Sequence, residues 1–458
     1  MTEQHTMHQI TEGVIWKQLL IFFFPILLGT FFQQMYNTVD TIIVGRFVGT
    51  QALAAVGSTS SLVNLINGFF IGLSAGVSVI ISQFYGADDQ QGVRQSMGTG
   101  AILSVILGIM AVAVGVGGSP YLLRLIKTPG SCLDDAICYA TVYFFGAAAT
   151  VVYNMGSGVL RAMGDSKRPL YFLIATCFSN IVLDLVFVVV LKLGIAGAAL
   201  ATTASQIISA IMVIIALCRL PEDIRLDFSQ LQIDPVLLKR ILLIGLPAGL
   251  QFITFDLSNL LVQSGINSFG EVTTAAWAAF AKADGLTWMV SGAFGVAITT
   301  FVGQNFGAQK YDRIRKSVWT CLGMSLATQL LISGFTLVFR VFILGIFTPD
   351  ADVIRVGAYA MLWIVPFNAL FMFVEVFAGT MRGVGCSALP TAITSVCICC
   401  FRVLWVLLIV SRWHTIEMLC VVYPLSWILA SIVFVAVYLR GTWLKKRIDA
   451  CGMLPEIR

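Results

Sequence analysis

The sequence predicts an all-α polytopic membrane protein, with twelve transmembrane helices in two six-helix lobes related by an internal parallel repeat. Three observations carry that prediction. Mean hydropathy is +0.91. Charged residues make up 11% of the chain and hydrophobic ones 58%, where an ordinary soluble domain carries roughly 25% charged residues. The apolar residues fall into about twelve stretches, each near the roughly 20 residues that cross a 30 Å hydrocarbon core as a helix. Finally, two motifs recur at one fixed separation.

Taken in order, the spans are expected at roughly 15–48, 53–84, 95–117, 135–161, 169–191, 195–218, 239–268, 272–304, 314–340, 353–381, 389–411 and 416–440. The first is too long for the apolar core of a cleavable signal and has no small-residue cleavage site, so it is expected to remain as a span. The charged stretch between the sixth and seventh spans carries Pro221 and Pro235 and reads as a linker. The domains are therefore an N-terminal lobe at 1–218, a linker at 219–238, a C-terminal lobe at 239–440 and a tail at 441–458. Ten-residue strands of alternating polarity are missing, which excludes a β-barrel.

The net charge of +5 is distributed as a membrane topology requires. Arg94, Arg161, Lys167, Arg168, Lys239, Arg240, Arg313, Arg315, Lys316, Arg382, Arg440 and Lys445 fall in loops or tails on one side, against Arg46, Arg124, Lys127, Lys192, Arg340, Arg355 and Arg412 on the other. The positive-inside rule then places both termini in the cytoplasm. The basic excess is not a nucleic-acid surface, and the expected setting is a bacterial plasma membrane.

"QFYGADDQQGVRQS" from Gln83 aligns with "QNFGAQKYDRIRKS" from Gln304, and "GVLRAMGDSKRP" from Gly158 aligns with "GTMRGVGCSALP" from Gly379. Both pairs are 221 residues apart, and Pro25 and Pro247 are 222 apart. One offset over such distances marks two homologous halves. Six spans is an even number, so the halves cross in the same sense, a plan that places binding sites near the midplane.

Enzymatic chemistry finds few candidates. The histidines are His5, His8 and His414, all outside the spans, and no Walker A motif is present. The "CICC" of Cys397 to Cys400 lies in an apolar span, where cysteine acts as a small hydrophobe, and lacks a second ligand pair at zinc spacing. No metal site, enzymatic activity or cofactor is expected. Charged residues inside the spans carry more information, because each costs at least ~2.5–3.5 kcal/mol to insert and is usually retained for a function. In the N-terminal half Asp40 and Asp184 have no intramembrane base to neutralise them, so they must be protonated, hold a cation or face water. Helical spacing puts Gln33, Tyr36 and Asn37 on the face of Asp40, and Asn180 one turn before Asp184. The C-terminal half mixes Asp256, Asp284 and Glu375 with Lys282 and Arg402. These form either structural ion pairs or a substrate or second coupling site; the pairing expected is Glu375 or Asp256 against Lys282 or Arg402.

With the repeat and these acids in place, the sequence resembles the multidrug and toxic compound extrusion (MATE) family over essentially its whole length, and most of all its DNA-damage-inducible-F-like subgroup. Asp40, Asn180 and Asp184 match that subgroup's N-lobe cation site, with Tyr36, Asn154 and Thr202 as companions and Pro25 at the bend of the first helix. The resemblance implies a V-shaped, monomeric, alternating-access exporter. It would exchange an inward-moving H+ or Na+ for an outward-moving amphipathic or cationic small molecule, with Pro25 as the hinge. Besides membrane lipids no macromolecular partner is implied. A flippase for lipid-linked precursors is the neighbouring alternative; it calls for a strongly basic cavity, and only Lys282 and Arg402 are available.

Overall fold

In the computed structural model residues 10–125 and 128–451 are described. His5, His8, Lys127 and the last seven residues of the expected tail lie outside them. The membrane-spanning helices are α1 (Ile15–Val48), α2 (Thr50–Gly86), α3 (Gln90–Leu125), α4 (Gly130–Phe145) with α5 (Ala147–Ala162), α6 (Lys167–Val190), α7 (Gly194–Cys218), α8 (Pro235–Asn267) and α9 (Glu271–Gly307). They continue with α10 (Tyr311–Val338), α12 (Ala351–Gly383), α13 (Ala388–Val410) and α14 (Ile416–Arg440); a short helix α11 (Arg340–Phe347) precedes α12, and a final helix α15 (Thr442–Cys451) follows α14. Among the described residues eleven helices are long and apolar enough to cross a membrane, and the bent pair α4–α5 supplies a twelfth. The protein is thus an all-α multi-pass membrane protein.

The fourth span departs from a single straight helix by bending 46° at Gly146. Thr203 of α7 donates its hydroxyl to the Val142 carbonyl at 3.0 Å, and the Gly146 N–H turns to Tyr143 at 2.9 Å. A side chain inserted into a helix ladder is a usual cause of a sharp kink. Glycine is required there because a Cβ would sit 2.9 Å from Thr203.

The repeat is visible in the backbone itself. Asp88 and Gln309 are both left-handed (φ 58° and 57°), as are Gly164 and Gly385 (φ 92° and 85°), and the members of each pair are 221 residues apart. The π-helical end of α6, Leu185–Val190, has its counterpart in Val406–Val410 of α13.

Two compact units share the chain. The first is built on Phe24–Ile253 with Gly307–Gln309, the second on Thr11–Phe23, Thr254–Phe306 and the chain from Lys310 onward. Two helices, α1 and α8, therefore contribute long stretches to both, and α9 gives only its last residue, Gly307, to the first. α1 changes unit beside Pro25, and α8 changes unit shortly after Pro247; α1 nonetheless stays helical through its proline.

Inside the first unit α2 packs on α3, α4 and α5, and α7 on α4, α5 and α6. The early part of α8 meets α2 through glycines. A Cβ on Gly76 would fall 2.4 Å from the Ile241 carbonyl oxygen, one on Gly245 2.5 Å from that of Leu73, and one on Gly72 2.5 Å from the Gly249 backbone. Four-residue spacing of small residues on both helices lets the backbones touch. The linker is tied to the same unit. Arg94 bonds Gln230 and stands 3.6 Å from the Asp227 carboxylate, and the Asp234 N–H donates to Thr99 at 3.2 Å. Hydrogen bonds from Ser229, then the Arg94 and Arg225 charges, hold the Asp227 carboxyl below its usual range.

In the second unit α12 packs on α10 and α14. The approach to α1 is clamped from the α9–α10 motif: Arg313 donates to the carbonyls of Gly13 at 2.8 Å and Glu12 at 2.7 Å and to the Gln18 side chain at 2.8 Å, and Lys310 reaches the Thr11 carbonyl at 3.1 Å. Phe23 stacks on Phe294 with centroids 4.1 Å apart. The two copies of the repeated motif thus perform the same task, each holding the segment that leads into the helix shared between units.

Candidate functional site

Asp40 and Asp184 come together in the first unit. Each sits where its helix passes into π geometry: α1 becomes π-helical at Val44–Val48, and Asp184 is the last α-helical residue before Leu185–Val190. The two π segments pack against each other, which brings the acids ahead of them into register. π-bulges widen a helix by one residue per turn and concentrate at functional sites. The two carboxyl groups lie close enough to act on one another electrostatically.

The surroundings are polar but leave the acids unneutralised. Asp184 and Asn180 are fully buried and Asp40 is 6% exposed. Among the described residues, both oxygens of Asp184, one of Asp40 and the Asn180 carbonyl oxygen accept no hydrogen bond, and the Asn180 amide nitrogen donates none. Asp40 and Asp184 enter no ion pair with a described lysine or arginine. Buried acceptors are nearly always satisfied, and a cluster left with four spare acceptor oxygens and no base has the chemistry of a site for a proton or small hard cation.

Of the expected companions, Tyr36 is buried one turn before Asp40 and its hydroxyl accepts from Gln206 at 3.2 Å. Thr202 is buried on α7 one turn before Gln206. Asn154 is half-buried on α5, and among the described residues no hydrogen bond joins it to either acid. Sequence reasoning missed Tyr139 and Tyr143 of α4. Tyr139 lies within electrostatic reach of Asp40, Asp184 and Tyr36, its ring stacks on Tyr143 at 6.2 Å, and Tyr143 accepts from Asn67 at 2.9 Å. Their i, i+4 spacing in an apolar helix, and the amides Asn67 and Gln206 in others, were the available signal.

The C-terminal charges are arranged otherwise than expected. Glu375 pairs with Arg382 at 3.1 Å, seven residues on along α12, and not with Lys282 or Arg402. Helical periodicity explains it, since two turns return Arg382 to the face of Glu375. Lys282 is exposed and Asp256 half-buried, and neither enters an ion pair among the described residues. Asp284 is buried and accepts from Asn368 at 2.9 Å. Arg402 is 1% exposed and faces aromatic rings in place of an acid. No group of three or more histidine, cysteine or acidic residues with metal-site geometry occurs among the described residues.

Comparison with known proteins agrees with this architecture. The MatE family model matches residues 25–186 and again 247–408, the two halves inferred from the repeat. The chain is 29% identical over 444 residues to the probable multidrug resistance protein YoeA of Bacillus subtilis, covering 95% of each chain. It is 30% identical over 388 residues to the probable multidrug resistance protein YpnP of the same organism, covering 82% of this chain and 84% of that one. Among solved structures, the outward-facing conformation of a multidrug resistance MATE family transporter superimposes with TM-score 0.88 at 24% identity, over 97% of this chain and all of that one. A MATE structure in the bent conformation gives TM-score 0.89 at 23% identity over 97% of this chain.

Proposed function

Because this chain belongs to the MatE family, we propose that it is a secondary exporter in which uptake of a cation at Asp40 and Asp184 drives efflux of amphipathic or cationic small molecules by antiport. The observation that supports this reading is the buried carboxyl pair, which among the described residues has no basic partner and keeps spare acceptor oxygens. The names of the bacterial relatives, multidrug resistance proteins, support the class of cargo.

The coupling follows from charge. With one proton or sodium ion bound, the pair and its π-helical ends can pack as they do here. With the ion released, two like charges meet in a low-dielectric site, and that packing is disfavoured. An ion shifts the equilibrium between two states only through unequal affinity for them, and the carboxyl pair supplies that inequality. Asn180 would orient Asp184 and contribute a carbonyl to the ion, while Tyr36, held by Gln206, fixes the α1 face that carries Asp40. Thr202 stands on the same face of α7 as Gln206, and Tyr139 would stabilise whichever carboxyl is charged. Pro25 lacks the N–H that would tie its turn of α1 to the preceding one, and it lies beside the point where α1 changes unit; bending is least costly there. Both termini are placed in the cytoplasm by the charge bias.

Efflux of a fluorescent organic cation from vesicles containing the purified protein tests the reading. Export should follow an imposed pH gradient, a sodium gradient or both. Export that ignores both gradients overturns it.

A further inference from the structure

The second unit holds a buried cation that the proposed coupling does not use. Arg402 occupies a single α-helical turn of α13, Phe401–Trp405, set between two π-helical segments, Ser395–Cys400 and Val406–Val410. Widened turns on both sides orient that turn independently of the rest of the helix. Its guanidinium carbon lies 4.3 Å from the ring centre of Tyr423, 5.7 Å from Trp427 and 5.9 Å from Phe255. Nε donates to the Ser426 hydroxyl at 3.0 Å. Tyr423, Ser426 and Trp427 share one face of α14, and Trp405 ties the two helices together by donating to the Met418 carbonyl at 2.9 Å.

Among the described residues this cage stabilises the charge through ring faces and one neutral hydroxyl and supplies no anion. Arg402 Nη2 is buried and donates to no described residue. The indole Nε1–H of Trp427, from the same cluster, is also buried and donates to no described residue. Both groups are donors only. Both residues are 1% exposed, so bulk water does not serve them. The nearby acid is engaged elsewhere: Asp284 is within electrostatic reach of Tyr423 but accepts from Asn368. A buried guanidinium without a counter-charge is strongly unfavourable, and two orphan donors in one aromatic cage call for an acceptor.

We propose that Arg402 and Trp427 form an anion-binding site in the second unit, which takes one monovalent, negatively charged acceptor. The ligand is met by N–H groups of the guanidinium and of the indole, both of which only donate. A halide ion or a carboxylate satisfies that geometry, the first free in solution and the second carried by a transported molecule. The site does not depend on the role assigned to Asp40 and Asp184.

The test uses the purified full-length protein in detergent, with sodium concentration and ionic strength held constant so that the carboxyl pair sees no change. Sodium chloride replaces sodium gluconate in one arm. In the other, 2-naphthoate is added, with neutral 2-naphthalenemethanol as control. Melting temperature and tryptophan fluorescence are the readouts. A saturable response to chloride identifies a free anion as the ligand, and one to naphthoate but not to its alcohol identifies a cargo carboxylate. Arg402→Met should fold, because apolar replacement of a buried charge is often tolerated, and should abolish the response. Trp427→Phe keeps an aromatic ring, removes one donor, and should raise the midpoint read from melting temperature about tenfold, the usual effect of one lost hydrogen bond; it decides the matter should Arg402→Met not fold. The proposal is overturned if neither anion gives a saturable response, or if the midpoint is unchanged in Trp427→Phe. It is also overturned if Arg402→Met and Asp284→Asn prove energetically coupled while anions have no effect, since Asp284 would then be the missing partner.

Discussion

Asp40→Asn and Asp184→Asn replace a carboxylate by a near-isosteric amide that is cheaper to bury, so both variants should insert and fold. An amide cannot load a proton in the working range and is a weak cation ligand. Gradient-driven export should therefore fall by about 5–150-fold, the span of ordinary coupling free energies, with cargo binding less affected. Transport by the purified variants under matched gradients measures this; wild-type rates with unchanged ion dependence in Asp40→Asn would reduce the pair to a packing element. Glu375 calls for a different expectation. It and Arg382 are about one-fifth exposed or less, at 21% and 16%, and Glu375→Gln strands a guanidinium in a poorly solvated place. A loss of about 1–3 kcal/mol is expected, below the cost of breaking a fully buried pair. Adding Arg382→Gln should restore most of it, and purely additive losses in the double-mutant cycle would show that the two charges act separately.

At the scale of elements, the α2–α8 contact makes a sharp prediction. Ala at Gly76 or Gly245 places a methyl 2.4–2.5 Å from a backbone carbonyl oxygen, which cannot rotate aside as a side chain would. Overpacking of this kind costs about 1–3 kcal/mol. Gly117 of α3 is the control, because a Cβ there meets nothing within 4 Å; Gly117→Ala should be neutral or stabilising by up to ~1 kcal/mol from helix propensity. Thermal unfolding in one detergent compares the three variants, and equal losses at all three positions would mean that helix approach is not what these glycines serve. The kinked fourth span belongs to the same scale. Its apolar run was legible, whereas the break at Gly146 depends on a threonine some sixty residues later in the chain that takes the Val142 carbonyl.

For the whole molecule the charge bias fixes an expected orientation. Cysteines introduced at Arg94 and Arg315, equivalent positions of the repeated motif, should react with an impermeant thiol reagent in opened cells or inverted vesicles and not in intact cells. Labelling of either from outside would reverse or break the topology.

The sequence by itself determined the membrane-spanning helical class, the number and order of spans, the duplication and the identity of the unneutralised acids. Each of these follows from a property summed along the chain: transfer free energy over some twenty residues, the even count of crossings, one fixed offset between motifs. Only the tertiary structure decided which charges meet. Asp40 and Asp184 come from different helices, and their proximity rests on the packing of two π-helical ends; Tyr139 comes within electrostatic reach of both from a third helix. Glu375 turned to its own helix for Arg382, and Arg402 to aromatic rings. Electrostatic partnership is settled within a few ångströms by the rotation and register of neighbouring helices, and a hydropathy pattern places helices in the membrane without fixing either.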